Sequence, residues 1–190
     1  TTQFSYNYHD QNSWYGNTPY MATQQVAFGQ AYWDKTFGIH NLLVGATIRY
    51  TDYDDNTPAT ANENGENLPS RTTIPGAFVQ DEMKFNSKNS LLLGYRFDYD
   101  EHHGAIHSPR VAYRYSSENK KHTLRGSFGT GFRVVNLFTE DHAALTGSRE
   151  VIIAEELKPE RSINANLNYV TRFTTGNLNV DLDVTGFYSY

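Results

Sequence analysis

The stretch that decides the fold is "SLLLGYRFDYDEHHGAIHSPRVAYRYSSENKKHTLRGSFGTGFR", residues 90–133. Every second residue from Leu91 is apolar or aromatic (Leu91, Leu93, Tyr95, Phe97, Tyr99), and the residues between Leu93 and Tyr99 are Gly94, Arg96 and Asp98. The end of the stretch repeats the pattern, with Leu124, Gly126, Phe128, Thr130 and Phe132 against Thr123, Arg125, Ser127, Gly129, Gly131 and Arg133. Successive side chains of a strand point to opposite faces, so each segment has one greasy and one charged face.

The same alternation runs outward from this centre. Leu42, Val44, Ala46, Ile48 and Tyr50 oppose Gly45, Thr47, Arg49 and Thr51. Ile163, Ala165, Leu167 and Tyr169 oppose Ser162, Asn164, Asn166 and Asn168, and Leu178, Val180, Leu182 and Val184 oppose Asn179, Asp181 and Asp183. The spacing predicts about nine strands, near 3–9, 24–34, 41–53, 73–85, 90–100, 108–116, 122–133, 160–173 and 177–190, bounded by Gly, Asn, Ser, Asp or Pro clusters. Residues 73–85 have no clean apolar face in either register, so their orientation stays open at this level.

Composition agrees with an all-β chain. Among 190 residues there are 14 Tyr, 11 Phe and 14 Gly, and aromatic side chains suit a pleated surface. The formal charge of -5 argues against a nucleic-acid partner, whose footprint would be basic. The lack of Cys excludes a disulfide framework and thiolate metal sites. No run approaches the roughly 20 apolar residues of a membrane-crossing helix. The opening "TTQFSYNYHDQ" has neither a basic nor an apolar leader region, so an exported protein is expected to be represented here by a mature piece or fragment.

Link lengths separate two architectures that alternation alone leaves open. The links at 11–23, 54–71 and 134–159 read as long, that at 101–107 as moderate, and those at 35–40, 86–89, 117–122 and 174–177 as short, the two sets alternating along the chain. A transmembrane barrel sorts long loops and tight turns to opposite ends in this way, and several strands match the roughly 9–11 residues that cross a bilayer. Tyr50, Tyr53, Tyr99, Tyr115, Phe132 and Phe173 lie toward strand ends, where an interfacial aromatic girdle would sit. The competing architecture is a soluble β-sandwich acting as a binding or adhesion module.

Three stretches carry a family resemblance: "GAFVQDEMKFNSKNSLLLGYRFDYDEHHGAIHSPRVAYRY", "TLRGSFGTGFRVVNLFTE" and "EELKPERSINANLNY". They resemble the barrel of TonB-dependent outer-membrane receptors, in a Bacteroidetes-like form. The matching residues are Gly94, Arg96 and Asp98; Ser108, Pro109, Arg110, Ala112 and Tyr113; Gly129, Gly131, Phe132 and Arg133; and Leu157, Lys158, Pro159, Glu160 and Ser162. Val135 stands where many relatives have Pro.

The resemblance implies antiparallel up-and-down transmembrane strands, about nine of an expected set of about 22, with long extracellular loops and short periplasmic turns. Residues 1–190 are then part of a receptor barrel in a Gram-negative outer membrane, the plug domain and remaining strands being absent. The implied activity is active uptake of a metal chelate, a ferric siderophore first, with cobalamin, haem or a copper complex as alternatives. The implied partners are the TonB-ExbB-ExbD complex, acting through the plug, the chelate itself and outer-membrane lipid.

No catalytic motif and no cofactor motif is found. "GSFGTGF" has the glycine spacing of a dinucleotide loop, but it lies within a strand pattern. Candidate ligand contacts are His102, His103 and His107, grouped with Asp100 and Glu101 in an expected loop, where imidazole and carboxylate could meet a metal. Glu140, Asp141, His142 and Arg149 in the longest link, and Arg133 beside it, complete the set. A solvated polar loop remains the plainer reading of the histidines. An internal charge ladder involving Arg96, Arg110, Arg114, Arg125, Asp98 and Glu82 remains the plainer reading of the arginines.

Overall fold

A computed structural model describes residues 1–57, 60–62, 64–133 and 160–190. Nine strands follow one another: β1 (Thr2–Tyr15), β2 (Thr18–Phe37), β3 (His40–Asp55), β4 (Ser70–Lys84), β5 (Asn89–Asp100), β6 (Gly104–Ser116), β7 (His122–Arg133), β8 (Glu160–Thr175) and β9 (Leu178–Ser189). They form one sheet in chain order, each strand antiparallel to the next. This meander puts the links 38–39, 85–88, 117–121 and 176–177 at one end, here called the lower end. The links 16–17, 56–69, 101–103 and 134–159 leave from the upper end.

Among the described residues there is no second layer. Only Tyr20, Ala22, Tyr53 and Ile106 are buried apolar side chains among the described residues. Val44, Ile48, Leu93, Phe128, Leu167 and Leu182 all lie open on one face, with many more like them. A soluble sandwich would press such a face against a second sheet about 10 Å away. The crowded face is the polar one, where Thr47, Asp55, Asp98, Asp100 and Ser116 are buried, as expected on the inner side of a curved sheet. The faces alternate as the sequence predicts, so Arg96, Arg110, Arg114, Arg125 and Arg133 share the inner face.

Three expectations change, and one orientation left open is fixed. The long first link at 11–23 does not exist: β1 and β2 stay paired up to Tyr15 and Thr18 and close through Gly16 and Asn17, with Gly16 at φ 64°. Only glycine takes that conformation freely, and a Gly-Asn pair between two β-rich runs is a hairpin signal. Ala22 is the last β2 residue paired with β3, so the hairpin stands above the sheet as a two-stranded ribbon. The link at 101–107 shortens to 101–103, which places His107 inside β6 rather than in a loop.

The orientation of β4 is settled. Ile74, Gly76, Phe78, Gln80 and Glu82 share the inner face with Thr47 and Asp98, and Pro75, Ala77, Val79, Asp81 and Met83 face outward. Both registers look mixed for a local reason. Phe78 turns inward because its neighbour is Gly45, where an added Cβ would lie 2.5 Å from the Phe78 ring. Asp81 turns outward beside His40, whose Nδ1 lies 2.6 Å from its Oδ2.

Tyr53 leaves the girdle. It is on the inner face, 8% exposed, with its hydroxyl 2.7 Å from that of Tyr20. Tyr50, Tyr99, Tyr115 and Phe173 stay open on the outer face.

Two prolines mark where ladders end. The uppermost β4–β5 pair is Gly76 with Asp98, directly below Pro75, and the uppermost β6–β7 pair is Arg110 with Gly129, directly below Pro109. Proline has no N–H to give to a ladder. Above these points residues 104–109 pair only with β5, and 130–133 only with β8.

The face assignment makes a comparative prediction. Phe128→Arg puts a charge among Val111 and Ala165 on the outer face and is expected to lower stability in lipid by about 2–4 kcal/mol if the site is near the midplane. Leu93→Arg stands directly opposite Asp81 and is expected to lose less. Ser127→Arg, on the inner face, is expected to be milder still. Denaturant titration of the folded protein in lipid vesicles checks the order.

Candidate functional site

The inner face carries the polar chemistry, and its upper half is built around one ion pair. Asp98 is fully buried. Arg96, two residues earlier on the same face, grips it with two bonds: Nη2 donates to Oδ1 at 2.6 Å and Nε to Oδ2 at 2.7 Å. The same Nη2 donates to Thr47 Oγ1 at 3.1 Å on β3, reaching across β4. That reach is possible because Gly76 lies between them: an added Cβ would collide with the Asp98 carboxylate and come 2.8 Å from Thr47 Oγ1. A planar guanidinium fork suits a bidentate carboxylate, and the bidentate geometry fixes both side chains against the wall.

A second network lies at the upper ends of β2 and β3. Tyr53 OH donates to Asp55 Oδ2 at 2.6 Å, while Asp55 Oδ1 accepts from Thr57 N at 2.8 Å, Thr57 Oγ1 at 2.7 Å and Thr60 Oγ1 at 3.0 Å. Asn56 ties the link to the hairpin, its Nδ2 donating to Pro19 O and its Oδ1 accepting from Met21 N. Beyond it, Thr60 with Leu68 and Asn62 with Glu66 pair as a small hairpin around Gly65. The described residues of what reads in sequence as a long polar loop, 56–57, 60–62 and 64–69, are therefore folded and anchored.

The expected ligand contacts separate. His102 and His103 occupy the tight 101–103 turn, where their backbone N–H groups donate to Asp100 Oδ1 at 2.9 and 3.0 Å. Asp100 thus holds the turn. His102 Nδ1 is 3.9 Å from both Asp100 and Glu101, and no group of three or more His, Cys, Asp or Glu suited to a metal occurs among the described residues. His107 is on the outer face, its Nδ1 2.5 Å from Tyr95 OH and its ring 5.5 Å from that of Phe97. Arg133 is on the inner face at the upper end of β7, with Nη2 donating to Glu160 Oε2 at 2.9 Å across the base of the 134–159 link. Glu140, Asp141, His142 and Arg149 lie outside the described residues.

The internal charge ladder is partly as expected. Arg96 pairs with Asp98, whereas Glu82 pairs with Lys84 at 3.6 Å rather than with an arginine. The Tyr20–Tyr53–Asp55–Thr60 network is missed by the sequence reading. Its signal was the Asp-x-Thr spacing at Asp55 and Thr57, in which a carboxylate turns back to the amide two residues on.

A single meander with an apolar outer face and a polar inner wall defines a class, a membrane-spanning β-barrel segment. The family described as TonB dependent receptor-like, beta-barrel, matches residues 1–190, and the chain belongs to it. Its place is the outer membrane of Gram-negative bacteria. Among solved structures, the siderophore receptor PirA from Pseudomonas aeruginosa is 16% identical with a TM-score of 0.72, the match covering 99% of this chain and 35% of that one. The copper transporter OprC is 13% identical with a TM-score of 0.67, over 99% and 35%. A mutant of the ferric enterobactin receptor PfeA from Pseudomonas aeruginosa is 17% identical with a TM-score of 0.60, over 87% and 26%. The chain thus spans about a third or less of the receptors it resembles. No protein of curated function matches it.

Two substitutions test the networks. Arg96→Ala leaves the buried Asp98 carboxylate without its cation and is expected to lower stability by about 3 kcal/mol, the low end for a broken buried pair, since the guanidinium itself is partly wet. Thr60→Val removes the hydroxyl that holds the 56–69 link to Asp55. It is expected to leave the strands folded while making that link a site of rapid proteolysis, read by limited digestion of intact cells.

Proposed function

We propose that the chain is the wall of a receptor that takes up a metal chelate across the outer membrane, a ferric siderophore in the first instance, driven by TonB with ExbB and ExbD. The observation that carries this reading is the match of the family over residues 1–190 to a sheet with an apolar outer face and a polar inner wall. The likeness to siderophore receptors favours ferric chelates, and the likeness to a copper transporter supports a copper complex as the second reading. The wall is read as contributing binding and passage, because the polar groups of its upper half, Arg96, Asp98 and Thr47 with Tyr53, Asp55 and Thr60, are occupied in hydrogen bonds to one another.

Within this reading His102, His103 and Arg133, at the extracellular end, and Glu140, Asp141, His142 and Arg149, in the longest link, are the contacts offered to the cargo. His107 is less suited, because it faces lipid beside Tyr95 and Phe97.

The test is growth of a receptor-deficient strain carrying the full-length protein. A ferric siderophore supplied as the sole iron source is expected to support growth, and deletion of TonB is expected to abolish it. Growth that persists without TonB, or rescue confined to copper, haem or cobalamin limitation, overturns the siderophore reading. Deleting residues 139–149 is expected to leave a folded, surface-exposed receptor with weakened cargo binding, and unchanged affinity in that variant removes the link from the site.

A further inference from the structure

The lower end of the inner face holds a basic pocket that the uptake reading does not use. It has a volume of about 450 Å³ and is lined by Arg114, Arg125, Arg172, Asp181 and Asp183, with Lys120 at its edge. Its four cations outnumber its two carboxylates, and both carboxylates are engaged. Arg172 Nε is 3.3 Å from Asp181 Oδ2, and Asp183 Oδ1 accepts from Asn168 Nδ2 at 2.5 Å.

What remains is unbalanced. Arg114 and Arg125 are direct cross-strand partners on one face of the sheet. Like charges placed directly opposite one another destabilise a strand pair. Arg125 Nη1 reaches only the neutral Asn168 Oδ1, at 3.0 Å. Among the described residues the side chains of Arg114 and Lys120 take part in no hydrogen bond or ion pair.

The turn that presents Lys120 is firmly built. Ser117 Oγ accepts from His122 N at 2.9 Å, Asn119 Oδ1 accepts from Lys121 N at 3.0 Å, and Lys120 itself stands at φ 55°, a conformation uncommon outside glycine. A fixed turn holding a cation beside two opposed guanidinium groups is an arrangement that an oxyanion relieves. Guanidinium forks match the paired oxygens of a carboxylate or phosphate.

We propose that this pocket is an oxyanion site, in which a carboxylate or phosphate sits between Arg114 and Arg125 with Lys120 at its edge. The anion has two possible sources, an acidic side chain of polypeptide lodged in the lumen or a free anionic solute. The site rests on the geometry of the wall and not on the identity of the cargo, so it stands whichever chelate is carried.

The sign of one stability change decides it. The full-length receptor in detergent is compared with R114Q/R125Q and with R114K/R125K by thermal unfolding, with and without inorganic phosphate at matched ionic strength. A bound polypeptide carboxylate makes the wild type melt above R114Q/R125Q without added phosphate, with R114K/R125K between them. Raising NaCl from about 0.05 M to about 0.5 M then narrows that gap. A free anion makes phosphate raise the wild-type midpoint and leave that of R114Q/R125Q unmoved. With no anion held, glutamine at 114 only removes a repulsion, and glutamine at 125 removes it along with one exposed hydrogen bond to Asn168, so R114Q is measured alongside the double variant. R114Q/R125Q melting at or above the wild type, with and without phosphate, therefore overturns the site. If the double variant does not fold, R114Q alone gives the same sign test.

Discussion

Inside a bilayer no water is available to complete a backbone hydrogen bond, so each strand must find its partners in its neighbours. That constraint governs everything else in this sheet. It requires strands paired without interruption across the apolar band, and adjacent strands in chain order meet it with the shortest links. Once the ladders are set, the pleat decides which side chains meet lipid and which meet the lumen. A shift of one residue would send Arg96, Asp98 and Arg125 into hydrocarbon. Register is therefore strongly specified by the charges as well as by the apolar residues.

The inner wall solves a different problem. Its charges are partly shielded and must be matched locally, which the upper half does with Arg96, Asp98 and Thr47, and with Tyr53, Asp55 and Thr60. Both networks join residues from neighbouring or next-neighbouring strands, so each ties the wall together across the strand direction. Glycine at Gly45 and Gly76 makes the space for this cross-bracing by leaving room for Phe78 and for the Asp98 carboxylate. The lower half lacks this matching around Arg114 and Arg125, and the contrast sets that pocket apart.

Much of this was legible in sequence where one face is uniformly apolar. In β5, β7, β8 and β9 the alternation has few exceptions, and strand and orientation follow directly. It failed where an inward or outward side chain is excused by a neighbour distant in sequence. Phe78 depends on Gly45, and Asp81 depends on His40, and neither partner is visible from within 73–85. Tyr53 reads as a girdle residue because Tyr20, whose hydroxyl meets its own, comes beside it only once β2 and β3 are aligned. The length of the first link is hidden from sequence for another reason. Polar residues such as those of 11–23 mark loops in soluble domains, yet above a membrane both faces of a strand are wet and a regular ladder can be polar throughout. His107 was grouped with His102 and His103 by proximity in sequence, although the pleat sends it to the opposite side of the wall.

The ladders that stop at Pro75 and Pro109 leave the wall continuous below and slit above. A slit edge can be re-cut without unravelling the fabric beneath it. Insertions, deletions and substitutions in the segments leaving β6 and β7 need not be compensated in the strands that cross the bilayer. Over evolutionary time the rim of such a wall can therefore vary in sequence and length, while the part that must fold in lipid is held to one register.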